Sequence, residues 1–446
     1  MTRWSSEEIL DRILKAAKTA GADAADALHV ESVSAHVSYR LGKLEEVERA
    51  ESADLGLRVF VGQRVAFISS TDFSSDALDA LAPRAVAMAK LAPEDKYACL
   101  APKDLLAKAF PSLDLEDPRE PSADELIARA RDAEGAALAV KGVTNSEGGG
   151  ANFDRTRISF ATSEGFRGGY AGTHHGIGVA VIAGEDADMQ VDHDSASARH
   201  GPDLEGAEAV GRRAGERAAA RLYPRKIKSQ RVPIVYDPRV AGGLLGHFAS
   251  AISGSSIARG VSFLKDQLGK PVFARGIGIV DDPHRLRGLR SKPFDAEGVA
   301  NRRCTLIDGG VLTSWLLDCA SAKQLGLQTT GHAARGTGGP PSPSTTNLYM
   351  EPGTLSPDAL IADIKQGFYV TDLMGMGVNQ VTGDYSRGAS GFWIENGARA
   401  YPVAEVTIAG NLKDMFAHLT PANDLVFRYG TNAPTLRVEG MTVAGA

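Results

Sequence analysis

The sequence predicts an α+β protein whose two halves are built differently. Two segments of the N-terminal half begin with capping boxes and continue with apolar residues at helical spacing. The segments between them alternate apolar and polar residues, as strands do. Beyond about residue 232 the chain is mainly short β segments broken by Gly and Pro. We therefore expect mixed or antiparallel sheet with helices first, then a mostly antiparallel β domain.

The start of the chain predicts a helix, a set of strands and a second helix. Ser5 and Glu8 form a capping box ahead of apolar residues at helical spacing. Alternating stretches then predict strands, and Gly62-Gln63 predicts a hairpin turn between two of them. A helix is expected from about Ser75 to Leu91.

The following stretch repeats the alternation of helix and strand. Residues 92–120 are rich in Pro, Asp and Lys and predict an irregular connection. Ser122 and Glu125 form a second capping box. The run Glu147-Gly148-Gly149-Gly150 predicts a loop, followed by an antiparallel meander that a helix near Leu222 closes.

The charged segment 223–233, which contains prolines near both ends, is the best candidate domain boundary. We therefore expect an N-terminal α+β region over 1–223 and a C-terminal β-rich domain over 232–446. A division of the first region into subdomains 1–95 and 121–223 stays open.

Composition excludes several classes of protein. The net charge is −6 and the pI about 6.0, so direct nucleic-acid binding is not expected. The basic run 212–231 is interpreted as a solvated helix face plus junction, with a partner-facing patch as the alternative. The three cysteines form no CxxC pair, which favours a reducing compartment. A polar start and the lack of a long apolar run predict a cytoplasmic protein without membrane contact.

The histidines suggest no metal site by spacing alone. No HExxH sequence is present, and His174-His175 would point to opposite faces of a strand. Asp192-His193-Asp194 is interpreted as a polar β-turn edge, with cation contact as the alternative. His247 is expected to be a core or interface histidine, and Cys304 and Cys319 are expected to be buried small hydrophobes.

The segment 371–397 combines many glycines with Asp, Asn, Ser, Thr and Arg. Glycine permits positive φ and close backbone approach, so this segment could offer its backbone to an extended peptide or a partner. A glycine-rich β-barrel rim is the alternative, and Asp384 and Arg387 could pair within it. Glu395-Asn396-Gly397 predicts a hairpin turn. The contact candidates are Gly375, Gly377, Asn379, Gly383, Asp384, Tyr385, Ser386, Arg387 and Gly388.

This segment resembles the TldD/PmbA family, once described as modulators of DNA gyrase. Strong matches cover most of the C-terminal half, whereas the N-terminal half fits the family's element order only loosely. The resemblance implies that the C-terminal β domain is barrel-like or sandwich-like. The matching stretches are 292–298, 308–312, 322–327, 383–388, 391–397, 401–403, 405–412 and 433–438.

The resemblance also marks a departure from the family's metal site. TldD-like chains carry HExxxH, which binds zinc through two His with Glu as general base, and a cysteine near the C-terminus resembles a third ligand. Here Gly246 and Ala251 stand at the two His positions and His247 at the Glu position. No cysteine follows Cys319. Because zinc catalysis needs about three protein ligands, this chain is expected to hold no catalytic residue, metal or cofactor of its own.

The resemblance therefore implies a PmbA/TldE-like subunit of a metalloprotease that acts on unfolded or leader-type peptides. It further implies a heterodimer with a zinc-bearing, HExxxH-containing TldD-like subunit, or a homodimer when the chain is isolated. Two alternatives stay open: a non-proteolytic binding or scaffold protein, and an independent hydrolase that uses other ligands, such as His174, His175 or His193.

Overall fold

The computed structural model describes residues 4–445; residues 1–3 of the polar start and Ala446 lie outside the described residues. It confirms an α+β fold with one antiparallel sheet in the N-terminal half and a largely antiparallel β structure in the C-terminal half. No helix within the described residues is long and apolar enough to cross a membrane.

One six-stranded sheet organises the N-terminal half. Its strands are β1 (Ala24–Arg40), β2 (Lys43–Val61), β3 (Arg64–Ser70), β4 (Val143–Thr162), β5 (Arg167–Ala183) and β6 (Gln190–Ala198). They are arranged antiparallel in the order β3-β2-β1-β4-β5-β6. Since β1 pairs directly with β4, the segments before and after the irregular connection 92–120 contribute to one continuous sheet.

Helices cover this sheet: α1 (Ser6–Thr19), α2 (Ser75–Leu91), α3 (Ala123–Leu138) and α4 (Ala207–Ala220). Both predicted capping boxes are present, with Ser5 and Ser122 as N-caps. In each, the serine side chain accepts from the N3 amide while the N3 glutamate accepts from the N-cap amide. Helices α1 and α2 bury their apolar faces against β1 and β2, and α3 and α4 pack against β5.

The loop expected at residues 147–150 is wrong, because these residues lie inside β4. The register of β4 against β5 shifts at Val143/Asn145 and at Ser146/Gly148. A Cβ on Gly149 would lie 2.5 Å from the carbonyl oxygen of Ala130, in α3. Glycine is therefore explained here by the close packing of a helix on the strand rather than by a turn.

The C-terminal half contains short strands and helices. The strands are β7 (Gln230–Tyr236), β8 (Ile279–Asp281), β9 (Cys304–Asp308), β10 (Val311–Leu312), β11 (Ala333–Ala334), β12 (Ser342–Pro343), β13 (Leu348–Met350), β14 (Gln366–Met374), β15 (Asp384–Glu395), β16 (Ala398–Asn411), β17 (Leu419–Pro421), β18 (Thr431–Asn432) and β19 (Leu436–Ala444). The helices are α5 (Pro238–Ala251), α6 (Gly254–Ala258), α7 (Cys319–Leu325), α8 (Pro357–Ile361) and α9 (Leu412–Ala417).

Five of these strands close into a barrel. They are hydrogen-bonded side by side in the order β16-β15-β14-β7-β19, and the barrel closes because β16 also pairs with β19. The β7–β14 pair is parallel, and the other pairs of the barrel are antiparallel. The predicted hairpin at Asn396-Gly397 joins β15 to β16, with φ of 50° and 80° at the two turn residues, as a type I′ turn requires.

The largest hydrophobic core lies between the barrel and α5. Tyr236 of β7, Phe248 of α5 and Phe416 of α9 are all fully buried within it. Phe416 stacks on Phe273, with ring centroids 4.4 Å apart. This packing fixes α5 against the barrel and thereby determines where the three positions of the altered zinc sequence lie.

Candidate functional site

Helix α5 contains the altered zinc sequence. Asp237 caps its N-terminus by accepting from the amide of Arg239, and Pro238 occupies the first turn. Gly246 is exposed with no atom near its missing Cβ, whereas Ala251 is completely buried. The two positions therefore face different environments, one solvent and the other the core.

His247 lies between these positions and contacts the glycine-rich segment. Its ring meets that of Tyr385 edge to face, with centroids 6.0 Å apart. Burial, reinforced by the positive charge of Arg387, lowers the pKa of His247 below its usual value. The imidazole is therefore neutral at pH 7. Burial raises the pKa of Tyr385, and burial together with the neighbouring phenol of Tyr385 raises that of Tyr236.

The residues around His247 do not fit a zinc ion. Glycine and alanine carry no donor atoms, so His247 is the single imidazole that the altered sequence supplies. The nearby guanidinium of Arg387 would also repel a dication. Within residues 4–445 no three His, Cys, Asp or Glu side chains are grouped so as to hold a metal. A catalytic zinc site needs about three such ligands.

The glycine-rich segment forms two barrel strands and the hairpin loop between them. Residues 371–374 end β14, residues 375–383 form the loop, and Asp384 begins β15. The loop is closed by bonds from the amide of Ser386 to the Gly377 carbonyl (2.7 Å) and from that of Asn379 to the Asp384 carbonyl (2.9 Å). The barrel-rim alternative thus describes the position of the segment correctly, and peptide or partner contact stays a prediction.

Three glycines of this loop have a clear structural reason. A Cβ on Gly377 would lie 1.8 Å from the carbonyl oxygen of Ser386, so a side chain there would separate the two sides of the hairpin. Gly383 has a φ of 87°, in the left-handed region that favours glycine. Gly375 shares that region with a φ of 78° and has open space around it. The loop therefore requires glycine for its own shape.

The suggested pairing of Asp384 with Arg387 is wrong. The carboxylate of Asp384 accepts from Thr382 Oγ1 (2.6 Å) and Asn411 Nδ2 (3.0 Å). The Arg387 Nε donates to the carbonyl of Met374 at 3.1 Å. Residues three apart in a strand point to opposite faces, so Arg387 lies on the face of buried Tyr385, and exposed Asp384 lies on the other.

A cleft of ≈ 400 Å³ adjoins α5, the end of β14 and the outer strand β6. Arg387, Asp372 and Gly243 line one side, and His193 and Asp194 line the other. The cleft thus carries both signs of charge and joins the glycine-rich segment to the N-terminal sheet. The altered zinc sequence adds no nucleophile or metal ligand to its lining.

The β-turn edge expected at Asp192-His193-Asp194 is wrong, because this triplet lies inside β6. Its alternation buries both carboxylates, each about 3% exposed, and leaves His193 exposed. Asp194 binds Arg213 (2.6 Å) and Arg217 (2.7 Å) of α4. Because two guanidinium groups already bind the Asp194 carboxylate, the suggested contact of this triplet with a cation is excluded.

The same ion pairs correct the interpretation of the basic run as a solvated helix face. Arg213, Arg217 and Arg221 follow one another at four-residue spacing and turn towards β6. Arg221 also reaches Asp372 of β14 at 3.6 Å, and Arg239 of α5 reaches Asp192 at 2.8 Å. The arginines therefore connect the N-terminal sheet to the C-terminal half.

The histidines proposed for an independent hydrolase do not converge. His174 lies near Asp154, with 3.6 Å between Nδ1 and the carboxylate, and is partly exposed. His175 is buried on the opposite face, 3.1 Å from Asp117. His193 is on β6 and lines the cleft beside α5. The structure thus supports the prediction that adjacent His174 and His175 face opposite ways, and it separates them from His193.

Sequence reasoning missed Tyr236 and Arg239. Tyr236 is a fully buried tyrosine beside Tyr385, and Arg239 lines the cleft while binding Asp192. One signal was available for Arg239, because it follows the capping sequence Asp237-Pro238 at the start of the helix that carries the altered zinc sequence. No local signal marks Tyr236, whose neighbours are brought together by barrel closure.

Family models match nearly the whole chain. Models described as PmbA/TldA metallopeptidase domain 1, central domain and C-terminal domain match residues 25–89, 116–222 and 229–445. The C-terminal model covers α5, the glycine-rich segment and the barrel together.

Two relatives match along most of their length. The chain is 40% identical over 425 residues to a protein named metalloprotease PmbA from Escherichia coli O157:H7, covering 95% of this chain and 92% of the relative. It is 37% identical over 412 residues to a metalloprotease PmbA homolog from Haemophilus influenzae, covering 92% and 89%.

Two solved structures have the same fold as this chain. A proposed modulator of DNA gyrase from Bacteroides thetaiotaomicron superimposes with a TM-score of 0.92 at 26% identity, covering 100% of both chains. TldE from Thermococcus kodakarensis shares the fold, with a TM-score of 0.86 at 20% identity over 98% of this chain and 99% of that one. The chain belongs to the PmbA/TldD metallopeptidase family.

Proposed function

We propose that this chain is the zinc-free, PmbA/TldE-like subunit of a TldD/TldE-type metalloprotease, and that it shapes a peptide-binding site next to the zinc of a TldD-like partner. The observation that carries the proposal is the donor set of α5. Gly246 and Ala251 offer no ligand, and His247 is neutral and close to cationic Arg387. A chain of a metallopeptidase family with this helix requires another chain for metal chemistry.

The exposed surface of the glycine-rich loop supports a partner or peptide contact. Met374, Met376 and Val381 are 51%, 96% and 57% exposed, although all three are large and apolar. Grouped exposed apolar side chains mark interaction surfaces, and Met adapts its shape to different partners. The loop also adjoins the mixed-charge cleft beside α5 through Arg387, so a bound peptide could extend from the loop into that cleft.

The substrate class and location belong to the same proposal. Unfolded or leader-type peptides are extended and can present backbone groups to an exposed hairpin edge. Cys99, Cys304 and Cys319 are free thiols, which fits the reducing cytoplasm.

The isolated chain is proposed to form a homodimer, which light scattering of the purified protein tests directly.

Metal analysis tests the central claim. The purified chain should contain far less than one zinc per molecule and should not cleave unfolded protein or peptide substrates. Activity should appear when a TldD-like chain carrying HExxxH is added. Stoichiometric zinc together with peptidase activity of this chain alone would refute the proposal and favour an independent hydrolase.

Partner recovery separates the subunit from a scaffold protein. A tagged chain purified from its native cells should bring an HExxxH-bearing chain with it. Met376→Lys should weaken that recovery, because it places a charge in the exposed loop. Met88→Lys is the matched control, since Met88 is 43% exposed on α2 in the N-terminal half. Recovery of other proteins but no HExxxH-bearing chain would favour the scaffold.

A further inference from the structure

A second cleft lies on a different part of the molecule, where the N-terminal sheet meets C-terminal loops. Its volume is ≈ 410 Å³. Strands β4 and β5 form one wall, with Asp154, Thr156 and Tyr170. Residues 290–292 and 344–345 form the other wall. None of these residues lines the cleft beside α5.

The lining of this cleft carries a net positive charge. It contains three cations, Arg199, Arg290 and Lys292, but one carboxylate, Asp154. Arg199 donates to the backbone carbonyls of Thr173 (2.9 Å) and Gly288 (3.2 Å), and Lys292 Nζ donates to that of Ala333 (2.9 Å). These acceptors are neutral. Among the described residues, no carboxylate oxygen lies within 4.0 Å of the three cationic groups.

Burial increases the effect of two of these charges, those of Arg199 and Lys292. Burial lowers the pKa of Arg199 and that of Lys292, although the charges of Asp295 and Asp281 oppose the effect at Lys292. Partly desolvated cations interact with an anion more strongly than solvated ones do. Asp295 and Asp281 partly offset the charge of Lys292, whereas Arg199 and Arg290 have no carboxylate of residues 4–445 within 4.0 Å, so the lining still attracts negative charge.

The single carboxylate is already engaged. Asp154 accepts from Asn152 Nδ2 at 2.7 Å and lies 3.6 Å from His174 Nδ1. The nearby imidazole of His174, followed by the hydrogen bond from Asn152, keeps the pKa of Asp154 below its usual value despite burial. Asp154 therefore neither pairs with the three cations nor fills the cleft.

We propose that this cleft binds an oxyanion, either a carboxylate at the end of a peptide or a phosphate group. Arg290 and Lys292 supply charge-assisted donors, and the hydroxyls of Thr156, Ser344 and Thr345 lie on the same lining as neutral donors. Arg199 contributes charge while it joins β5 to the loop before Arg290. This site is independent of the proposed partnership, since it uses neither α5 nor the glycine-rich loop.

The geometry also indicates how Arg290 is positioned. Its side chain lies directly against Gly430, where an added Cβ would come within 2.2 Å of Nε. Glycine at 430 therefore leaves the space that the guanidinium stem occupies. Gly430→Ala should move Arg290 and weaken anion binding without removing any charge.

Calorimetric titration of the full chain with inorganic phosphate tests the site. The same measurement is made with two peptides of one sequence, one ending in a free carboxylate and the other in an amide. Saturable binding is expected, and Arg290→Gln and Lys292→Gln should each weaken it about tenfold, as expected for loss of a charge-assisted bond. Arg275→Gln, an exposed arginine outside this cleft, should leave the affinity unchanged.

The two peptides distinguish the sources of the anion. Binding of the free-acid peptide but not of the amide, with competition by phosphate, assigns a peptide carboxylate. Binding of phosphate with no difference between the peptides assigns a phosphate ligand. No saturable binding of any probe overturns the proposal, as does equal affinity in Arg290→Gln, Gly430→Ala and Arg275→Gln. Arg290 is exposed, so its variant should fold even if Lys292→Gln does not.

Discussion

Replacing Asp192 by Asn should destabilise the contact between the two halves of the molecule. The carboxylate is about 3% exposed and binds Arg239 of α5 at 2.8 Å and Arg221 at 3.3 Å. The two arginine side chains are 15% and 12% exposed, and after the substitution each keeps one more distant carboxylate, Asp237 for Arg239 and Asp372 for Arg221, both at 3.6 Å. Removal of one partner from a buried pair typically costs about 3–5 kcal/mol, and we expect the lower end because water reaches the arginines.

The loss should depend on pH in a defined direction. Burial alone would raise the pKa of Asp192, but hydrogen bonding to Arg239 and its charge outweigh burial and lower it. A lowered carboxyl pKa contributes stability above the unfolded-state value of about 3.9, and that stability is lost as pH falls through the folded-state value. The difference between wild type and Asp192→Asn should therefore be largest above about pH 5 and shrink in more acidic solution.

Urea unfolding at several pH values, followed by far-UV circular dichroism and tryptophan fluorescence, measures this difference. Asp79→Asn is the control, because Asp79 pairs with Arg12 on the surface and its side chain is 62% exposed. The control should have a much smaller effect. If Asp192→Asn were as stable as the control at pH 7, the ion pairs would not hold the two halves together as argued.

Three further outcomes are expected. Gly377→Ala should open the hairpin loop, since the new Cβ would lie 1.8 Å from the Ser386 carbonyl oxygen. Cleavage by the proposed protease pair should therefore fall, while the thermal midpoint of the barrel changes little. Gly246→Ala should raise the free energy of unfolding by about 0.5–1 kcal/mol, because the site is an exposed helix position with open space; a loss of stability would contradict this reading. The triple change Gly246→His, His247→Glu and Ala251→His should lower stability, because position 251 is completely buried, and should not give peptidase activity; activity with stoichiometric zinc would refute the ligand argument.

Local features of the fold were accessible from the sequence because they depend on near neighbours. The capping boxes at Ser5 and Ser122 and the turn at Asn396-Gly397 are each formed by residues three or fewer positions apart. The same holds for the missing ligands, since the chemistry of Gly246 and Ala251 does not depend on their surroundings. The sequence by itself therefore determined the helix caps, the turn and the α+β class, and together with the family resemblance it showed that α5 lacks zinc ligands.

Tertiary contacts decided where polar and glycine-rich segments lie. A polar triplet such as 192–194 looks like a surface turn unless the arginines of α4 and α5 are known to cover it. Gly149 looks like a loop residue unless the carbonyl of Ala130 is known to lie against it. Periodicity reports whether a residue is covered but not which distant element covers it. For the same reason only the folded chain shows that barrel closure places Tyr385 against His247, and that a positively charged cleft forms between the two halves.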